Sequence, residues 1–164
     1  MLFRSAEPSL FLVVLGGRSD RSLIELHDVR LVVGADLEAT IPALRRQWFG
    51  RRRGLHIDSW VRVEQLEGYR LRLRQEPPQT DERLWFVNIG GYQPDQLAEQ
   101  HAFGLFVARS AQAAKAKARR TLLPDSLQQH KDDLWAVDDC LPVGLLERWW
   151  VHLEPGAVPA APQP

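Results

Sequence analysis

The stretch LFLVVLGG, Leu10 to Gly17, returns as LWFVNIGG, Leu84 to Gly91. The first glycine of the pair moves by 74 (90 − 16), and the same step carries Glu25 and His27 onto Glu99 and His101, Asp36 onto Ser110, and Arg45 and Arg46 onto Arg119 and Arg120. Read without an insertion, it also carries His56 and Asp58 onto His130 and Asp132. Glycine and polar positions that hold one register so far mark a duplicated unit, so the chain is expected to fold as two like halves.

Each copy reads in the same order. A continuous apolar run predicts a buried strand, and the Gly-Gly pair that follows predicts a turn with positive φ. The next strand is IELHDVRLVVG in the first copy and AEQHAFGLFVA in the second. Asp36 and Ser110 are N-cap residues for a helix, because their side-chain oxygens can accept first-turn amides. Gly50 and Pro124 stand as its terminators. Pro42 is expected to kink the first helix or shift its start toward Thr40. After the helix, LHIDSWVRVEQ and YRLRLRQ flank LEG as a hairpin, and DLWAVDDC with RWWVHLE supplies its counterpart.

The expectation is therefore an α+β protein of tandem duplicated β-β-α-β-β units. Its sheet is mostly antiparallel with helices on one side, and a pseudo-two-fold axis relates the copies. The first repeat spans residues 9–75 and the second 83–154, joined by a linker at 76–82 and followed by a disordered tail at 155–164.

Charge narrows the function classes. Lys plus Arg equals Asp plus Glu at 21 each, so no global field draws the chain to nucleic acid or an anionic membrane. Nucleic acid is disfavoured as a partner. The one local basic segment, RRQWFGRRRG, has Arg45 and Arg46 in the last turn of a helix, where cations meet the dipole favourably. The single cysteine, Cys140, excludes an intramolecular disulfide and a cysteine cage for zinc. No apolar run is long enough to span a bilayer and no cleavable leader is seen, so the expected location is the cytoplasm, with no membrane partner. A homo-oligomer is an open arrangement.

The polar residues of the second strand carry the chemistry. Alternate residues of a strand share a face, which puts Glu25 and His27 on the row of Val29, Leu31 and Val33, and Glu99 and His101 on the row of Phe103, Leu105 and Val107. Burying an acid and an imidazole without partners is costly, so each other, backbone groups, water, a metal or a ligand must satisfy them. His56 with Asp58, and His130 with Asp132, add a second two-residue step in each copy. Glu, His, His and Asp together form a ligand set competent for a divalent transition metal, the cofactor these residues would accept. They equally suit acid–base work in which a carboxylate orients an imidazole.

The strings FLVVLGG, IELHDVRLVVG, LRRQWFG, LHIDSWVRV, VNIGGY, EQHAFGLFVARSAQAAKAKA and HKDDLWAVDDC resemble a bacterial family known as domain of unknown function 1543. The resemblance covers the chain apart from its two ends and the linker. It implies one or two copies of the domain and brings no activity, cofactor or catalytic residue with it.

The function expected from the residues is binding of a metal ion or small ligand through Glu25, His27, His56 and Asp58 and through Glu99, His101, His130 and Asp132. The rival is a protein or nucleic-acid interaction module in which these groups are structural. A hydrolase with a histidine base ranks last, because no nucleophile stands beside a plausible partner.

Overall fold

The structure, a computed structural model, describes residues 7–123 and 135–156. The first copy runs β1 (Ser9–Gly17), β2 (Leu26–Gly34), α1 (Leu37–Gln47), β3 (His56–Val63), β4 (Gln65–Leu66) and β5 (Tyr69–Arg74). The second repeats that order as β6 (Arg83–Gly91), β7 (Gln100–Ala108), α2 (Ala111–Leu122), β8 (Trp135–Val143), β9 (Leu145–Leu146) and β10 (Trp149–Pro155). The class is α+β, and every strand pairing is antiparallel. The expected layer of sheet is divided in three, ordered β2-β1-β3, β7-β6-β8 and β4-β5-β10-β9.

The apolar runs that open each copy become the middle strands because they are buried on both faces. Phe11, Val13 and Leu15 of β1 point to α1, where they meet Ala43, Leu44 and Trp48. Leu10 faces the opposite way, into a central core shared with Val63, Leu84, Val107, Val143, Val151 and Leu153. Val87 and Ile89 of β6 pack on Ala114 and Ala118 of α2 in the same manner. Full burial of such a side chain contributes about 1.5–3 kcal/mol, so the two copies are held together by the central core and not by the linker.

Both helices begin where the caps predict. Asp36 Oδ1 accepts from the Ala39 amide at 2.8 Å and Ser110 Oγ from that of Ala113 at 3.1 Å, each cap contributing about 1 kcal/mol. Pro42 does not move the start of α1. It lies inside the helix, whose Thr40, Ala43 and Leu44 are buried against the sheet, and that packing outweighs one absent amide bond. Gly50 lies just past α1 as expected, while Pro124 is outside the described residues.

The step between the copies is not constant. It is 74 through the helices, but in the sheets Gly16 faces His56 and Gly90 faces Ala136, a step of 80 (136 − 56). The strand pair β4 and β9 and the strand pair β5 and β10 keep that step of 80. The second copy thus holds six more residues (80 − 74) between its helix and the strand register that follows. His56 and Asp58 correspond to Ala136 and Asp138, not to His130 and Asp132, which lie outside the described residues.

The central sheet joins the copies directly. β5 pairs with β10, Arg72 stands opposite His152, and Arg74 donates to Glu154 at 2.8 Å. Glu67, left-handed at φ 51° beside Gly68 at 83°, forms the hairpin turn between β4 and β5. Its carboxylate accepts from the Val107 amide and meets Lys117 Nζ at 3.0 Å, tying the first copy's turn to the second copy's strand and helix. Among the described residues no helix is long and apolar enough to cross a membrane.

Candidate functional site

Gly16 ends up in the middle of a three-strand row, with His27 beside it on β2 and His56 on β3. The register of β3 slips between Val14 and Leu15, so Asp58 is the extra residue of a β-bulge. A bulge re-aims its side chain, and here the carboxylate turns back over Gly16. Glu25 reaches the same point from just before β2. A Cβ placed on Gly16 would touch Glu25 Oε1 and lie 2.7 Å from His56 Nε2 and 3.0 Å from Asp58 Oδ2. The glycine is the floor of a polar hollow.

The expected positive φ is therefore absent from this pair. Gly16 and Gly17 are extended residues inside β1, and what excludes a side chain is crowding. At Gly17 the neighbour is the Trp48 ring, 2.7 Å from where a Cβ would stand.

Four predicted residues meet at the hollow. His27 Nε2 lies 3.0 Å from Asp58 Oδ2, and His56 Nε2 lies 2.7 Å from Glu25 Oε1 and 2.9 Å from Asp58 Oδ1. His56 Nδ1 stands 2.8 Å from the Gly54 carbonyl. A carbonyl only accepts, so the Nδ1 proton is committed to it. The neutral ring then turns the lone pair of Nε2 toward two carboxylate oxygens. Glu25 Oε1 beside it is shut off from solvent and accepts no hydrogen bond among the described residues. Three acceptors facing one another call for a proton or a cation among them.

The same geometry raises the pKa of His56 above the ordinary 6.5, first through the Gly54 carbonyl and then through the charges of Glu25 and Asp58, with partial desolvation opposing. A raised folded-state value stabilises the fold below the unfolded value and loses that contribution as pH rises through the raised one. In chelator the unfolding temperature of the native protein should exceed that of His56→Asn near pH 6. The gap should narrow from about pH 6.5 upward. A gap that is flat or widening toward pH 8 would contradict the arrangement.

The second copy is assembled differently. Glu99 and His101 come together as predicted, with His101 Nε2 3.6 Å from Glu99 Oε2. Their carboxylate partner is Asp138, 3.7 Å from His101 Nδ1 and crowded against Gly90. Asp138 also occupies a bulge, between the residues paired with Asn88 and Ile89. The place of His56 is taken by Ala136, so among the described residues this hollow has one imidazole. The reading by a constant step missed Asp138. Its signal was in VEQLEGY at 63–69 and VGLLERW at 143–149, which share Val, Leu and Glu at a step of 80 (143 − 63).

Glu25, His56 and Asp58 present donor atoms within 4.8 Å of one another. Ligands held tetrahedrally at ~2.1 Å from an ion stand ~3.4 Å apart, so an ion would spread the present contacts by roughly half an ångström. The side chains of Glu25, His56 and Asp58 are 37%, 49% and 32% exposed, loose enough to make that adjustment. His56 anchored through its far nitrogen on a carbonyl is the usual posture of a metal-ligating imidazole. Cys140 plays no part. Its thiol pKa is raised, by burial and not by the neighbouring aspartates.

A family model described as Domain of Unknown Function (DUF1543) matches residues 22–73 and 96–145, stretches whose starts lie 74 apart (96 − 22) and which hold both hollows' acids and imidazoles. The chain is also similar to the solved structure titled "Crystal structure of a protein Il1583 from Idiomarina loihiensis". The two are 37% identical with a TM-score of 0.71, over 96% of this chain and 91% of that one. Among curated proteins none matches.

Proposed function

The chain belongs to the family of domain of unknown function 1543, and from the geometry of its Gly16 hollow we propose that it binds one divalent transition-metal ion through Glu25, His56 and Asp58, with His27 completing the set. The observation that carries this reading is His56, whose Nδ1 is spent on Gly54 while Nε2 faces two carboxylate oxygens. A cation at that point turns three mutually repelling acceptors into ligands, and two imidazoles with two carboxylates suit zinc, iron, manganese or nickel. We propose further that the copies, residues 9–75 and 83–154, are related by a pseudo-two-fold axis through the pair Arg72 and His152. These two residues are counterparts at the step of 80 (152 − 72) and face each other.

The second hollow, with Ala136 for an imidazole, is left out of the metal reading. Elemental analysis of untagged protein purified without chelator should give about one ion per chain, not two. His56→Ala and His27→Ala should lower it, whereas His101→Ala should leave it unchanged. The rise in unfolding temperature on adding metal should grow from pH 6 to pH 8, because protons compete for His56 Nε2. Metal-free protein whose melting is indifferent to zinc, manganese, iron and nickel would end the reading and leave the groups structural.

A further inference from the structure

Beside the hollow lies a cavity of about 370 Å³ whose wall is formed by Arg18, Arg51 and Arg53 as well as by Glu25 and His56. The volume is within the range of small-molecule sites. Three arginines around one cavity repel unless something negative lies among them, and apart from Glu25 in the wall little does. Arg51 Nε reaches Asp20, an 85% exposed side chain, at 3.6 Å. Arg18 makes only a long bond to the Leu23 carbonyl at 3.4 Å. The Arg53 guanidinium has no hydrogen bond or ion pair among the described residues.

The backbone of Arg18 and Arg51 is nonetheless held in place. The Arg51 amide donates to the Arg18 carbonyl at 2.8 Å, and Trp48 Nε1 donates to the Arg51 carbonyl at 3.0 Å. Gly54, at φ 81°, turns the chain from this loop into β3 two residues before His56. The larger hollow along β5, about 760 Å³, holds a single arginine without an ion pair among the described residues, Arg70, and no imidazole in its wall. Its Arg72 and Arg74 already meet Glu7 and Glu154 at 3.1 and 2.8 Å.

Resting on the reading that an ion occupies the Glu25, His56 and Asp58 triangle, we infer that the adjoining cavity takes a small phosphorylated molecule. Its phosphate is held by Arg18, Arg51 and Arg53, with one phosphate oxygen facing the ion. A phosphate dianion offers three acceptor oxygens to guanidinium forks that match them in pairs, and the ion beside it neutralises the carboxylates that would otherwise repel it. In sequence the second copy does not repeat the three arginines, Lys131 being its one cation at a matching place, 80 beyond Arg51 (131 − 51). Tyr92 stands where Arg18 would be, and the second copy's stretch from Pro124 to Leu134 contains no arginine.

The test is titration calorimetry with glycerol 2-phosphate, and with glycerol as the uncharged control, on zinc-loaded and metal-free protein. The zinc-loaded wild type should bind the phosphate with Kd below about 1 mM and ignore glycerol. Arg51→Gln/Arg53→Gln should weaken binding at least about tenfold while taking up zinc and melting as the wild type does. Full zinc uptake with no phosphate binding, or with binding equal in the double variant, overturns the inference and leaves the metal reading standing. If zinc is not taken up, the metal reading fails separately. The metal-free titration then decides, and binding that is absent or indifferent to the two arginines overturns the inference.

Discussion

Gly16→Ala should cut metal uptake by about 100-fold or more while the protein stays folded. The prediction rests on a distinction between two reasons for a glycine. Gly16 is extended and tolerates a side chain as far as its own backbone is concerned, and alanine suits a strand better than glycine does. The difficulty is a methyl group delivered into the space where Glu25, His56 and Asp58 converge, 2.7 Å from His56 Nε2. These side chains are partly exposed and free to swing outward, which spares the fold and scatters the ligands. Displacing even the outer partners of a metal ligand costs 10–100-fold in affinity, and here the ligands themselves are pushed apart. Gly90→Ala inflicts the same crowding on Asp138 and Glu99 and should leave uptake intact. Uptake by Gly16→Ala equal to the wild type, read by elemental analysis beside circular dichroism, would move the ion away from this hollow.

Trp48→Ala should lower stability by about 3–5 kcal/mol, the range for truncating a large buried aromatic. Trp48 is 6% exposed and lies in the helix-facing core of the first copy. It also fills the space above Gly17, stacks on Phe49 at 4.5 Å and holds the Arg51 carbonyl. Removing it both empties the core and releases the arginine loop, so trypsin should cut at Arg51 to Arg53 far faster in the variant. Leucine, which the second copy carries at the matching position as Leu122, keeps part of the buried apolar surface and should cost less. A loss under about 1 kcal/mol in denaturant titration, with trypsin cleavage unchanged, would show that the ring is dispensable to both core and loop.

Much of the architecture was legible because duplication supplies its own control. The apolar runs at Leu10 and Leu84, the caps Asp36 and Ser110 and the turn at Glu67 each follow from local chemistry, and each has a counterpart that repeats it. The first hollow was legible as well, since the alternation leading into β2 put Glu25 and His27 on one face. Two things were hidden by causes that local pattern does not encode. The six additional residues ahead of β8 shift the register without altering any strand's own period, so a constant step of 74 points to His130 and Asp132 where strand pairing places Ala136 and Asp138. The bulge at Asp58 is a property of two strands at once, and no one-dimensional alternation places that carboxylate over Gly16. The glycine pair was misread for a related reason. A turn's demand on φ is local, whereas crowding by Trp48 and by three polar side chains is a tertiary demand.

The pairing of β5 with β10 has a consequence for ancestry. In the central sheet the strand that completes β5 comes from the other copy, and Arg72 faces its own counterpart, His152. A chain holding one copy alone would leave β5 as a bare edge with its half of the central core uncovered, and the neatest cover is a second identical chain lying antiparallel across it. Two like chains paired in this way and then joined head to tail would give the arrangement proposed for the copies. Fusion replaces a concentration-dependent encounter with a tethered one at millimolar effective concentration, so that dilution no longer separates the halves. It also frees each half to differ: identical subunits of a homodimer carry the same residue at a given place, whereas this chain holds His56 in one copy and Ala136 in the other.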